Sequence, residues 1–109
     1  MLGNKEARAA ARTILRCPAR LGLPGGAVLK ARTFDISMAG MSVTTDSPVP
    51  AGQRCQIAFE ALSGGKPLKI NVTGRVVHCS LSGTEGFRVG FHFEQNDEAT
   101  AKAIRQLLS

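Results

Sequence analysis

Two short stretches of this sequence carry side chains whose types and spacing suit the binding of a polar or anionic ligand. Arg12 and Arg16 lie near the N-terminus, and the stretch DISMAG, residues 35–40, places an acid, a hydroxyl and a glycine at fixed offsets. Taken alone, DISMAG is typical of an ordinary turn, because Asp and Ser often bond their own backbone and Gly tolerates positive φ. A turn of this kind predicts that Asp35 and Ser37 lie outside the core.

The positive charge of the chain is concentrated towards its N-terminus. Residues 1–32 contain seven of the 14 basic residues but only one of the eight acidic residues, and the chain as a whole carries a net charge of +6. A local basic segment suggests an anionic partner. Residues 4–12 are good helix formers with little apolar periodicity, so we expect residues 1–15 to form a flexible basic arm.

Length and hydropathy define the broad class of protein. A chain of 109 residues is enough for one domain, which we place at residues 16–109. No stretch approaches the roughly 18 apolar residues that span a bilayer, and basic residues interrupt the N-terminal segment where a signal peptide would be apolar. We therefore expect a cytoplasmic protein without membrane insertion.

The residues that could form a metal centre or a catalytic site lack the necessary spacing. The cysteines are odd in number and contain no CxxC pair, which fits neither a disulfide framework nor a zinc site. Ser37, His78 and Asp35 are the residue types of a catalytic triad, but no oxyanion-hole motif such as GxSxG accompanies them. We expect no metal, no cofactor and no enzymatic activity.

Alternating apolar and polar residues predict a mainly β fold. Six segments show this period of two or a turn-bounded strand composition, and they are separated by Gly- and Pro-rich turns: residues 17–23, 28–34, 40–45, 54–61, 68–76 and 87–93. Near the C-terminus, Asn96 or Asp97 can cap an amphipathic helix that includes Ile104. Short strands in hairpin order followed by one helix predict a small antiparallel six-stranded β-barrel with a C-terminal α-helix.

The order of these motifs resembles the PilZ domain, a bacterial receptor family for cyclic di-GMP. An RxxxR pattern precedes the first long strand, a hairpin follows, and DISMAG then supplies the D/NxSxxG pattern between two strands. The segments GRVVHCS and FRVGFHF, the latter with its central Gly90, look like later strands of the family. The resemblance covers nearly the whole chain, and the two motifs in this order are more specific than either alone.

The resemblance implies a set of ligand contacts. Arg12 and Arg16 would bind phosphate through the guanidinium fork or lie flat on a guanine, and Asp35 would accept hydrogen bonds from the guanine N1 and N2 groups. Ser37 would donate to a phosphate or a base, and Gly40 would keep a Cβ away from the ligand. In the family the arm folds over the nucleotide, so the resemblance implies a receptor that orders residues 1–15 on binding and signals to an unidentified protein effector.

Three features leave alternatives open. Arg16 and Arg20 also form an RxxxR pair, although the following Cys-Pro favours Arg12 and Arg16 and makes Arg20 an outward-facing strand residue. Ala11 stands where many family members have another arginine, which leaves both one ligand molecule and a stacked dimer open. His78 lies where the family often has an aromatic beside the guanine, and it is either a stacking group or a polar residue of an edge strand.

Two other functions compete with the receptor hypothesis. The chain would be a nucleotide-independent PilZ-like adaptor if the motifs had been lost, but both are present. It would be a barrel that binds single-stranded nucleic acid if its basic character, with a pI near 9.9, served that purpose. Such barrels stack bases on exposed aromatic residues, whereas most Phe residues here fall in the inward phase of their strands, so we expect no nucleic acid polymer as partner.

Overall fold

The computed structural model describes residues 12–108, which form seven antiparallel strands and one α-helix. The strands and the helix have the following bounds: β1 Thr13–Ile14, β2 Pro18–Gly22, β3 Val28–Ile36, β4 Gly40–Thr45, β5 Arg54–Ser63, β6 Lys66–Leu81, β7 Phe87–Phe93 and α1 Glu98–Leu108. A single turn of 3-10 helix, Gly83–Glu85, separates β6 from β7.

Six of these strands close into a barrel. The sheet order is β1-β3-β2-β5-β6-β7-β4, and a further pairing between β3 and β4 closes the six strands from β3 to β4. The predicted six-stranded antiparallel barrel is therefore confirmed. Closure gives each of the six strands a partner strand on both sides along part of its length.

The short strand β1 is an addition to the predicted strands. Among residues 12–108 it pairs with the end of β3 alone, where Thr13 is opposite Ile36 and Ile14 is opposite Asp35. Residues 1–11 of the predicted arm lie outside the described residues. Within the part of the predicted arm that is described, Thr13 and Ile14 lie in β1.

The barrel interior is filled by aliphatic and aromatic side chains from alternate strand positions. The largest fully buried apolar side chains are Leu21, Ile36, Met41, Val43, Val49, Ile57, Val72, Val76 and Val89. Helix α1 packs against β5 and β6 and contributes Ile104, which is 2% exposed. Its N-terminus is capped by Asp97, whose Oδ1 accepts the Thr100 N–H at 2.8 Å; Asn96 instead bonds to Thr73 of β6.

The helix length, the cysteines and the possible metal ligands also bear on the class of protein. Residues 12–108 contain no helix long and apolar enough to cross a membrane. Cys17, Cys55 and Cys79 are free thiols, and burial raises the pKa of the Cys55 thiol. Over the same part of the chain, no three His, Cys, Asp or Glu side chains are grouped closely enough to hold a metal ion.

Candidate functional site

Strand β1 positions the two arginines of the RxxxR pattern. Arg12 immediately precedes β1, and Arg16 follows it after one residue. The backbone on either side of Arg16 is hydrogen-bonded to the buried Thr33. Its Oγ1 donates to the Leu15 carbonyl at 2.6 Å and accepts the Cys17 N–H at 2.8 Å. Because β1 pairs with the end of β3, both arginines lie beside the strand that carries Asp35.

Asp35 lies at the centre of a cluster of polar side chains that also contains Arg12, Ser42 and Arg88. Its side chain is 7% exposed, Arg12 Nη2 lies 3.0 Å from Oδ1, and Arg88 Nη2 lies 3.3 Å from Oδ2. Ser42 Oγ also donates to Oδ1 at 2.7 Å. Burial alone would raise the pKa of Asp35, but hydrogen bonds from Arg12 and Ser42, together with the charges of Arg12 and Arg88, outweigh it and hold the pKa below its ordinary value. The carboxylate is therefore ionised at neutral pH.

Two β-bulges set the direction of the side chains around this carboxylate. The β3–β4 register shifts between Thr33 and Asp35, which leaves Phe34 as the extra residue, and the β6–β7 register shifts between Val76 and His78. A bulge adds one residue to a strand and so changes the face on which the following side chains lie. Beyond the two bulges, Asp35, Ser42, Gly90 and His78 form one row across four neighbouring strands.

Gly90 leaves space on this row for the imidazole of His78. A Cβ placed on Gly90 would overlap the His78 ring. Together with Arg12, Asp35, Ser42 and Arg88, these two residues line a pocket of about 410 Å³ on the outer face of the barrel. The structure therefore brings three of the sequence-predicted residues, Arg12, Asp35 and His78, to one pocket.

Arg16 lies beside the pocket and contacts an aromatic ring. Its Cζ is 4.5 Å from the centroid of the Phe34 ring, and the Cζ of Arg88 is 3.7 Å from the same centroid. Guanidinium groups are attracted to the face of an aromatic ring at these distances. Arg16 and Phe34 also line an adjoining pocket of about 470 Å³ that continues along β3 past Arg32.

Ser37 and Gly40 have structural contacts in the turn between β3 and β4. Ser37 is fully buried; its Oγ donates to the Gly40 carbonyl and accepts the N–H groups of Ala39 and Gly40, each at 3.2 Å. A Cβ on Gly40 would overlap the carbonyl oxygen of Phe91 in β7. Neither residue lines the pocket around Asp35.

Burial of this segment corrects one expectation from the sequence. Asp35 is 5% exposed and lies in β3, and Ser37 is fully buried, so neither side chain lies outside the core as a simple turn would place it. The bulge at Phe34 turns Asp35 to the outer face of the barrel, where the side chains of Arg12 and Arg88 cover it. Ser37 is buried because its hydroxyl turns inwards and bonds the backbone of the turn.

Arg88, Ser42 and Phe34 are site residues that the sequence analysis did not select. The alternation of β7 does put Arg88 on the same face as Gly90, which the family resemblance had singled out. The alternation of β7 and the resemblance at Gly90 together therefore indicated Arg88 as a site residue. For Phe34 and Ser42 the alternation pattern contains no such signal, because their positions depend on the two bulges.

Arg20 belongs to a different surface. It is exposed on β2, opposite Lys30 of β3 and Ala58 of β5, and it lines a separate groove with those residues. It does not line the pocket around Asp35, where Arg12 lies.

A closed barrel that carries an arginine-paired carboxylate on its outer face defines a small binding module. The PilZ domain family model matches residues 6–109, and the chain belongs to the PilZ domain family. The recognition made from the two motifs is therefore confirmed. No curated protein matches the chain at the level of sequence.

Solved structures share the fold at low sequence identity. The Bacillus subtilis inhibitor of motility (MotI/DgrA) has a TM-score of 0.75 at 13% identity, covering 92% of this chain and 51% of that one. YcgR from Escherichia coli, solved in complex with cyclic di-GMP, has a TM-score of 0.68 at 16% identity over 91% of this chain and 43% of that one. PlzA from Borreliella burgdorferi, also in complex with cyclic di-GMP, has a TM-score of 0.62 at 17% identity over 96% and 37%. The chain thus spans about half or less of the length of these three proteins.

Proposed function

We propose that this chain is a cyclic di-GMP receptor that binds its ligand through Arg12, Arg16 and Asp35. The observation that carries the proposal is the 3.0 Å ion pair between Arg12 and Asp35, because it joins one residue from each motif on the outer face of the barrel. Membership of the PilZ family and the cyclic di-GMP complexes of YcgR and PlzA support it.

The chemistry of these side chains suits a cyclic dinucleotide. The ligand has two phosphates, which arginine binds through two parallel N–H donors, and two guanines, on which a guanidinium can stack. A guanine also presents two adjacent donors, N1–H and N2–H, to which an ionised carboxylate offers two acceptors. The lowered pKa of Asp35 supports this role, because it keeps the carboxylate ionised.

Binding in this proposal is an exchange of partners. The buried carboxylate of Asp35 is paired with Arg12 and Arg88 in the free protein, and a buried charge left without a partner is costly. A guanine that donates to Asp35 replaces those partners, and the released Arg12 turns to the phosphate. His78 offers a ring beside the same pocket for stacking, while Ser37 and Gly40 keep the turn in shape.

The relay of the signal is part of the proposal. Arg12 lies in the predicted arm and Arg16 follows directly after it. A ligand that binds both would order the residues that precede β1 and change the surface offered to a protein effector in the cytoplasm. Hydrogen exchange tests this step. The amides of residues 4–12, which precede β1, should exchange rapidly without ligand and become protected with it, and unchanged exchange would remove the arm-ordering step.

A second candidate is an adaptor that works without nucleotide. One observation favours it: within residues 12–108, no buried side-chain nitrogen or oxygen lacks a hydrogen-bond partner, so the site is satisfied without ligand. Asp35 has three partners, and the Ser37 hydroxyl both donates and accepts hydrogen bonds within the turn.

Calorimetric titration separates the two candidates. We expect cyclic di-GMP to bind with a micromolar or lower Kd and GTP to bind far more weakly, because only the cyclic molecule presents phosphate and guanine to both motifs together. A short oligonucleotide serves as the control for simple attraction to the basic surface. Equal affinity for GTP would reject a specific receptor, and no heat with any nucleotide would favour the adaptor.

A further inference from the structure

A second groove lies on the outer face of the barrel, across β3, β2, β5 and β6. The residues that line it come as three consecutive positions from each strand, and in each triplet the middle residue is buried while its two neighbours face outwards. The groove has a volume of about 990 Å³. The outward side chains that form it are Pro18, Arg20, Lys30, Arg32, Ala58, Glu60, Lys69 and Asn71.

The charge of this groove is strongly positive and unbalanced. It has four basic side chains, Arg20, Lys30, Arg32 and Lys69, and one acidic side chain, Glu60. All four basic side chains are exposed, and none of them has an ion pair or a side-chain hydrogen bond to another of the described residues.

The arrangement of the charges costs stability in the free protein. Arg20 and Lys30 are directly opposite each other on β2 and β3. Like charges at directly opposed positions of a sheet repel and destabilise the pair. A binding partner with negative charge would relieve this repulsion, whereas the fold itself gains nothing from it.

The shape and chemistry of the groove select among anionic partners. Its floor contains Pro18 and Ala58, small apolar residues that suit the side chains of a peptide. Phe59, the aromatic residue of the lining, is 6% exposed and so offers no ring on which a nucleic acid base could stack. The groove crosses four strands, which at about 4.8 Å spacing span about 15 Å, the length of roughly five extended residues.

We propose that this groove binds an acidic, extended segment of a partner protein. The inference rests on the proposed function in one respect, which is that a receptor needs a protein effector. The groove adds that the effector segment bound there is acidic. Lys30 and Arg32 also line the pocket that contains Arg16 and Phe34, so the groove reaches one of the two arginines proposed to bind the ligand. An arginine that moves to bind a nucleotide therefore alters the charge at one end of the groove.

The test uses a defined probe and a matched pair of variants. The probe is a fluorescein-labelled peptide of about twelve residues, rich in Asp and Glu and long enough to cross the four strands. Its controls are the same peptide with Asn and Gln in place of Asp and Glu, and a single-stranded thymidine oligonucleotide. Arg20→Gln combined with Lys69→Gln removes two charges from the groove, and Lys66→Gln combined with Lys102→Gln removes two exposed lysines elsewhere.

We expect fluorescence anisotropy to show that the groove variant binds the acidic peptide at least about tenfold more weakly than the wild type, because charge-assisted hydrogen bonds are lost. The control variant should change the affinity by less than about twofold, as screened surface charges do. The unfolding midpoint of the groove variant should equal or exceed that of the wild type, which separates loss of binding from loss of fold.

Several results would overturn the proposal. These are equal weakening by both variants, equal binding of the amide peptide, tighter binding of the oligonucleotide, and no binding of the acidic peptide at low salt. A cyclic di-GMP titration of the same groove variant keeps the two proposals distinct, since Arg20 and Lys69 line only the groove. Peptide binding lost with nucleotide binding intact supports the groove, whereas absence of nucleotide binding in the wild type rejects the receptor function alone.

Discussion

Arg12 Nη2 lies 3.0 Å from Asp35 Oδ1, so an ion pair joins the residue that precedes β1 to the C-terminal end of β3. The contact joins a half-exposed guanidinium to a nearly buried carboxylate. Removal of one partner from such a pair leaves a poorly solvated charge, which costs more than the loss of an exposed ion pair. Arg12 is therefore a stabilising residue of the free protein, and in the proposed function it is the residue that the nucleotide draws away from Asp35.

The first prediction concerns which arginine pair binds the nucleotide. Arg12→Ala and Arg16→Ala should each weaken cyclic di-GMP binding by about ten- to a hundredfold or more, because a hydrogen bond to a charged group contributes roughly 1.5–3 kcal/mol. Arg20→Ala should stay within about twofold of the wild type, because it adds only screened long-range attraction. Calorimetry at physiological salt measures all three.

Arg20 is the matched control in this series, since it is an exposed arginine that lines a different groove. Circular dichroism of each variant establishes that the barrel is folded before the affinities are compared. The reverse ranking, with Arg12→Ala harmless and Arg20→Ala severely weakened, would assign the motif to Arg16 and Arg20.

The second prediction is a pH dependence of stability that comes from Asp35. Its pKa in the folded protein lies below the ordinary value of 3.8, because hydrogen bonds and nearby arginines outweigh the effect of burial. A carboxyl with a lowered folded pKa stabilises the protein fully above its unfolded pKa, and this stability is lost as the pH falls through the folded pKa. Asp35→Asn removes the charge with little change of shape.

Urea unfolding of both proteins between neutral pH and about pH 2 measures the effect. The wild type should be more stable than Asp35→Asn near neutral pH, and the difference in free energy of unfolding should shrink below about pH 4. Other carboxyl groups titrate equally in both proteins and cancel in the difference. A difference that stayed constant with pH would show that the Asp35 charge does not stabilise the fold.

The third prediction tests, by the stability of the protein, whether Ser37 has a structural role in the turn. Ser37→Ala should destabilise the protein by about 1–3 kcal/mol, because the N–H groups of Ala39 and Gly40 lose their acceptor inside the fold. Ser80→Ala is the control, since Ser80 is exposed and lines the pocket around Asp35. Denaturant unfolding should show little change for Ser80→Ala. A Ser37→Ala variant as stable as the wild type would contradict the assigned role.

Much of the barrel was predictable because its strands have a strong period of two. The bounds predicted for β4 and β7, residues 40–45 and 87–93, agree with the structure, and the helix starts after the predicted cap at Asp97. In these segments inward and outward positions differ clearly in polarity, so the local pattern already contains the information that folding uses.

The rest depended on contacts between distant parts of the chain. Strand β1 has two residues, both exposed, so no apolar pattern marks it, and its position follows from pairing with β3 and from Thr33. The bulges at Phe34 and Val77 add a residue without any change in composition, so alternation alone cannot place them. The two motifs were visible in the sequence and the alternation of β7 indicated Arg88, but nothing in the sequence indicated Ser42 of β4 as a partner of Asp35.

The fourth prediction compares Gly90, which lies in β7, with Gly40, which lies in β4 and pairs with β7. A Cβ on Gly40 would overlap the main-chain carbonyl oxygen of Phe91, which is fixed in the sheet, whereas a Cβ on Gly90 would overlap the imidazole of His78. His78 is exposed and can rotate its ring away. Gly40→Ala should therefore destabilise the protein by about 3 kcal/mol or more, and Gly90→Ala by about 1 kcal/mol.

Chemical denaturation measures both free energies of unfolding, and NMR of the His78 ring reports whether the imidazole has moved. Gly90→Ala should shift the His78 ring signals and weaken cyclic di-GMP binding, because the displaced ring enters the pocket that Asp35 lines. Gly22→Ala is a suitable reference, since a Cβ there would meet only an ordinary contact with Gln56 at 3.5 Å. If Gly90→Ala proved as destabilising as Gly40→Ala, the His78 ring would be held in place by the fold, and the row from Asp35 to His78 would be a rigid surface with no side chain free to adjust to a ligand.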